Sequence, residues 1–123
     1  MSACPFCAVD RPLLAQSDLA VAFADGRPVS PGHTLVVPRR HVAGYFECTP
    51  AEKAELWRLV EEVRARLLEA YRPDGFNVGL NDGAAAGQTV HHAHIHVIPR
   101  YAGDVVDPRG GVRNAVGEHK PHP

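Results

Sequence analysis

The chain has 123 residues and a formal net charge of −1, enough for one domain of ordinary size and too evenly charged to predict electrostatic capture by nucleic acid or by a membrane surface. Apolar residues make up 45% and charged residues 22%, the mixture of a soluble globular protein, and no apolar run nears the roughly 20 residues of a membrane span. The opening MSACPFCAVD has neither the basic start nor the apolar stretch of a secretion signal, so a cytoplasmic location is expected, and three cysteines in a reducing compartment do not suggest a disulfide framework.

Cys4 and Cys7 form a C-x-x-C. The redox version of this motif sits where a strand meets a helix, and no helical pattern follows here, so metal is favoured if two more ligands exist elsewhere. RPLLAQSD is a short apolar run. Leu19 to Ala24 alternates as a strand, GRPVSPG is a loop by its Gly and Pro content, and HTLVVPRRH is a second strand that ends near Pro38. The clearest element is a helix opening at Thr49: Pro50 suits its first position and Glu52 completes a capping box. Leu56, Leu59, Val60, Val63, Leu67 and Leu68 recur at helical spacing, and Pro73 and Gly75 stop the run. Phe76 to Asn81 is a third strand, GAAAGQT a small-residue loop, and Val90 to Arg100 a fourth strand. The sum is an α+β protein: a mostly antiparallel sheet with one long amphipathic helix on one face.

Within the last strand, His92, His94 and His96 alternate with Ala93, Ile95 and Val97. Residues two apart share a face of a strand, so the apolar set fits against the helix and the histidines look out to a cleft or a partner. They can be incidental to a half-buried strand, can share one metal ion, or can act on an anion, since neutral imidazole is both a nucleophile and a hydrogen-bond donor. The small residues of the preceding loop, together with Asn81, Gln88 and Thr89, favour the anion: they leave room for a substrate and add neutral donors.

The stretch QTVHHAHIHVIPR resembles the signature of the histidine triad (HIT) nucleotide-binding superfamily, and GHTLVVPRRH (32–41), AFAD (22–25) and GLNDGAAAGQT (79–89) extend the likeness. The resemblance implies a HIT-like fold over residues 1–101, a homodimer, and attack on the α-phosphorus of a purine nucleotide conjugate through a nucleotidyl-histidine. His94 is then the nucleophile, His96 the acid and base, and His33 a histidine that orients the triad. Asn81, Gln88 and Thr89, with His94 and His96, hold the phosphate. Asp25 takes the ribose hydroxyls, and Phe6, Val9 and Phe23 wall the base. AMP phosphoramidates and anhydrides are the implied substrates. Diadenosine polyphosphate hydrolysis or phosphorolysis is the alternative, and a purine nucleotide-binding regulator with little turnover is the reading from another class.

Some bacterial members bind a structural zinc through positions that correspond to Cys4, Cys7, His41 and His92, a closed Cys₂His₂ set. Cys48 has no such partners and is expected to pack, and His91 has no assigned role. Residues 102–123 form a polar, Gly- and Pro-rich tail, expected to be partly disordered, that carries His119 and His122 near its end. Arg109 and Arg113 have the right chemistry for a phosphate, though solvated loop arginines are the plainer expectation.

Overall fold

The computed structural model describes residues 4–117; the expected disorder at the end of the tail, with His119 and His122, lies outside the described residues. Five strands, β1 (Leu13–Gln16), β2 (Ala20–Ala24), β3 (Thr34–Pro38), β4 (Gly75–Gly79) and β5 (Ile95–Arg100), accompany one long helix, α1 (Pro50–Tyr71), with short 3-10 turns at Tyr45–Glu47, Ala84–Ala86 and Gly111–Val116. The sheet order is β1-β2-β3-β5-β4, and every neighbouring pair is antiparallel. The α+β expectation therefore holds: a five-stranded antiparallel sheet with one main helix. None of the helices formed by described residues is long and apolar enough to cross a membrane.

Each face of the sheet has its own apolar cluster. Ala20, Ala22, Val36, Ile95 and Val97 point toward α1 and pack with Leu56, Leu59, Val60, Val63 and Leu67; Cys48 packs here too. Val21, Phe23, Leu35 and Val37 point the other way and pack against Phe6 and Val9. The second face carries the chemistry. One cross-strand row on it runs Leu13, Phe23, Leu35, His96, Gly79, one residue from each strand.

Helix α1 begins as its sequence predicts. Thr49 accepts from the Glu52 amide, Glu52 accepts from the Thr49 amide, and Pro50 occupies the first turn. Glu52 is not on the solvated face with the other glutamates. It is 4% exposed, and both its oxygens accept from Arg40, at 2.9 and 3.0 Å. Those bonds, aided by the Thr49 amide, hold its pKa down to about 2. The helix ends in a left-handed Arg72 (φ 52°) just before Pro73, which cannot continue it.

The structure changes three expectations from sequence. The apolar run after the C-x-x-C is itself an edge strand, β1. The third strand stops at Gly79, which leaves Asn81 beyond the ladder. The last strand begins at Ile95 rather than Val90. Its partner β3 pairs only as far as Val36 opposite Ile95 and ends in Pro38, which has no N–H to donate. Val90–His94 is irregular chain, anchored by the Ala93 amide on the Val42 carbonyl at 2.7 Å. Within the tail, residues 111–116 form a 3-10 turn.

Candidate active site

The backbone assigns the ring protons of four histidines. The His92 ring is fully buried and places Nε2 2.7 Å from the Pro38 carbonyl. A carbonyl only accepts, so Nε2 carries the proton and Nδ1 is a lone pair. His94 is the reverse: Nδ1 lies 2.8 Å from the His92 carbonyl, so Nδ1 donates and Nε2 is the free lone pair. The Val29 amide donates into His33 Nδ1 at 3.1 Å, which leaves the proton of His33 on Nε2. That nitrogen is 2.9 Å from His96 Nδ1, so His33 donates, and the remaining proton of His96 is on its Nε2.

Electrostatics keeps the second pair uncharged. Burial lowers the His33 pKa, partly offset by Asp25, whose Oδ2 is 3.4 Å from His33 Nε2. Burial lowers His96 to about 4, with further lowering from His94 and His33. At neutral pH His96 is therefore a neutral ring with one N–H to give.

A cleft of about 460 Å³ opens beside these rings, with Phe6, Asp25, His33, Leu35, Asn81, Thr89, His94 and His96 in its lining. Phe6 sits edge-on to His94, ring centres 5.1 Å apart. Asp25 does two jobs: Oδ1 accepts from the Arg27 amide at 2.8 Å, an Asx-type turn, while Oδ2 faces His33. Asn81 and Thr89 are exposed on the cleft wall.

Three expected contacts are placed differently. Phe23 is fully buried and stands behind Phe6, ring centres 5.5 Å apart; Val9 packs into the same cluster. Both support the wall from beneath. Gln88 is 8% exposed, and its amide is committed to the backbone. Nε2 donates to the Ala43 and Val90 carbonyls at 2.6 and 3.0 Å, and Oε1 accepts from the Gly83 amide at 2.9 Å. It braces the loop that carries Asn81 and Thr89 and offers nothing to the cleft. Arg109 pairs with its neighbour Asp107 at 2.9 Å on the surface, and neither it nor Arg113 lines the cleft. Sequence reasoning did not single out Arg11 or Arg27, which do; no periodicity or motif marks either.

Cys4, Cys7, His41 and His92 come together behind the cleft, with all four ligand atoms within 4.8 Å of one another. Cys7 Sγ is 3.1 Å from His41 Nδ1, and His92 Nδ1 is 3.4 Å from Cys4 Sγ and 3.5 Å from Cys7 Sγ. Tetrahedral bonds of zinc to sulfur and imidazole nitrogen imply S···N edges of about 3.5 Å. The lone pair of His92 faces the thiols while its N–H is held by a carbonyl, the outer contact that metal-bound histidines make. The donor set and its spacing fit a tetrahedral metal ion.

Comparison with known proteins gives a consistent picture. A family model described as "HIT domain" matches residues 8–103. The chain is 38% identical over 89 residues to a bis(5′-nucleosyl)-tetraphosphatase (asymmetrical) of Schizosaccharomyces pombe, covering 72% of this chain and 49% of that protein. It is 40% identical over 93 residues to an AP-4-A phosphorylase of Mycobacterium tuberculosis, covering 75% and 48%. The chain thus spans about half the length of these two relatives. Among solved structures, a Zn-bound histidine triad family protein from Mycobacterium smegmatis superposes with a TM-score of 0.76 at 34% identity, covering 85% of this chain and 79% of that one.

Proposed function

Because the chain belongs to the HIT domain family, we propose that it cleaves the α-phosphate of purine nucleoside 5′-phosphate conjugates of the AMP type, as a nucleotidyl hydrolase or transferase, through a covalent nucleotide on His94. The observation that carries this reading is the pair of opposed tautomers in one cleft. His94 has its proton tied to the His92 carbonyl and its Nε2 lone pair free. His96, whose ring centre is 5.0 Å away, has its Nδ1 filled by His33 and its Nε2–H free. A ring with a free lone pair and a ring with a free N–H stand side by side, the first placed to attack phosphorus and the second to donate to the leaving atom.

In the first step His94 Nε2 forms a bond to the α-phosphorus and the bond to the leaving amine or phosphate breaks. His96 Nε2–H donates a hydrogen bond to the leaving atom, which departs as a neutral amine when the substrate nitrogen enters protonated or as a phosphate that needs no proton, while His33 holds His96 Nδ1. His94 becomes positive with its new bond, and both His33 and His96 stay neutral rings. In the second step water attacks the phosphorus, the N–P bond breaks so that His94 leaves as a neutral ring, and the proton lost by the water passes to solvent. Asn81 and Thr89 donate to the non-bridging oxygens, where charge builds in both transition states. Asp25 holds the ribose diol, and Phe6 flanks the bound nucleoside.

The Cys4, Cys7, His41 and His92 set would hold a zinc ion. With four protein ligands that ion would be structural, tying the N-terminal segment to the chain just before β5. We also propose a homodimer, as the family resemblance implies. Diadenosine polyphosphates are the second substrate class, favoured by the activities for which the S. pombe and M. tuberculosis relatives are named; phosphate in place of water at the second step would make the same residues a phosphorylase. The deciding experiment is His94→Ala assayed on an adenosine phosphoramidate. Turnover should vanish while AMP still binds by calorimetry, and rapid quenching of the wild-type reaction should trap a nucleotide on His94 by mass spectrometry. Undiminished turnover in the variant would refute the assignment.

A further inference from the structure

The base end of the cleft holds a cation where the row beneath it is apolar. Arg11 leads into β1 and donates from Nη1 to the Ala24 carbonyl at 2.8 Å. Its guanidinium carbon lies 5.3 Å from the centre of the Phe23 ring. Gly26 makes the space: a Cβ built there would meet Arg11 Nη1 at 3.3 Å, so a larger side chain at 26 would push the guanidinium aside. Arg11 and Gly26 line the cleft together with Asp25 and His94. Apart from the bond to Ala24, the N–H groups of Arg11 have no hydrogen-bond partner among the described residues.

The sheet itself shows which part of a nucleotide meets Arg11. In the cross-strand row, Phe23 is two strands from His96, about 10 Å at the usual strand spacing. Phosphorus at His94 and ribose at Asp25 orient the nucleotide along that row. The group that reaches the guanidinium lying over the buried Phe23 ring is the base and not the α-phosphate.

We infer that Arg11 is a specificity-determining residue that makes this site prefer guanosine over adenosine conjugates. The inference rests on the nucleotide reading given above. Guanine offers two acceptors, O6 and N7, on the edge that a guanidinium fork matches, whereas adenine places an amino donor where O6 would be. A base that stacks flat on the guanidinium keeps the same order, because guanine has the more electron-rich ring.

The test compares guanosine and adenosine 5′-phosphoramidates that share one leaving amine. The wild-type protein should favour guanosine in kcat/KM by about tenfold, the value of one bidentate contact to a base edge. Arg11→Met should bring the two within about twofold, with the change in the guanosine KM and not in kcat, as for a contact made equally in ground and transition states. Gly26→Ile should do the same with the arginine still present, and it guards against a folding defect in Arg11→Met. Equal kcat/KM in the wild-type protein, or a preference that survives in both variants, overturns the inference while leaving the His94 reading intact. If neither substrate turns over, GMP and AMP are titrated calorimetrically into wild-type and Arg11→Met protein. Equal affinities overturn the inference, and no binding of either nucleotide sinks both readings.

Discussion

His33 Nε2 lies 2.9 Å from His96 Nδ1, and the Val29 amide fills the other nitrogen of His33 from 3.1 Å. One backbone N–H thus sets the tautomer of two rings in series and turns the single remaining proton of His96 outward. Removing His33 leaves His96 Nδ1 without its donor and lets the ring tautomerise. His33→Ala should lower kcat about 10- to 100-fold, the usual cost of losing an outer contact that orients a functional ring, with a smaller change in KM.

The same variant makes a prediction in pH. Burial and the neighbouring His33 and His94 hold His96 at about 4, so in the wild-type protein the ring stays neutral until the solution is well into the acid range. With His33 gone, one lowering influence is lost and the cavity admits water, so the His96 pKa rises toward its ordinary 6.5. Its acid limb in kcat/KM should move up accordingly, toward neutrality, and NMR titration of the His96 ring should move with it. An acid limb unmoved in His33→Ala would mean that the His33–His96 contact does not tune the reaction.

What the sequence made legible divides along a physical line. Local features came through: the capping box at Thr49 and Glu52, the Leu56–Leu67 stripe, and the partition of Ala93, Ile95 and Val97 toward the helix, because each is set by residues close together in the chain. Spacing alone marked only the Cys4–Cys7 pair; the family resemblance added His41 and His92, and the structure gathers all four. Single long-range hydrogen bonds are invisible to periodicity. Alternation predicts His92 and His94 on a strand, yet both precede β5, and the carbonyls of Pro38 and His92 orient them. Arg11 reaches Ala24 across a strand pair, and Gln88 reaches Ala43 across 45 residues; nothing local to either residue announces that contact.

The metal cluster predicts a separation of stability from chemistry. Purified protein should contain about one zinc per chain, and His41→Ala or Cys7→Ser should lose it. Because ligand binding to the folded state alone adds directly to its stability, the melting temperature of either variant should fall by on the order of 10 °C. During chelation, activity should decay in step with the loss of native circular dichroism. Activity that disappears while the fold persists would mean that the ion serves the reaction, because a structural ion acts only through the protein it holds together.

Gln88 provides the sharpest contrast between position and role. It stands next to Thr89 in the stretch that resembles a phosphate-binding loop, yet its three bonds go to Ala43, Val90 and Gly83. Gln88→Ala leaves one amide and two carbonyls short of partners in a largely buried setting, at a cost of about 1–3 kcal/mol, and loosens the loop that holds Asn81 and Thr89. Its melting temperature and kcat should therefore fall together. Thr89→Ala removes an exposed hydroxyl from the cleft wall and should lower kcat with little change in melting temperature. Thermal denaturation beside steady-state kinetics separates the two. If Gln88→Ala melts like the wild-type protein but binds nucleotide phosphate more weakly, Gln88 is a ligand whose amide turns to the substrate on binding, and the bracing role assigned to it is wrong.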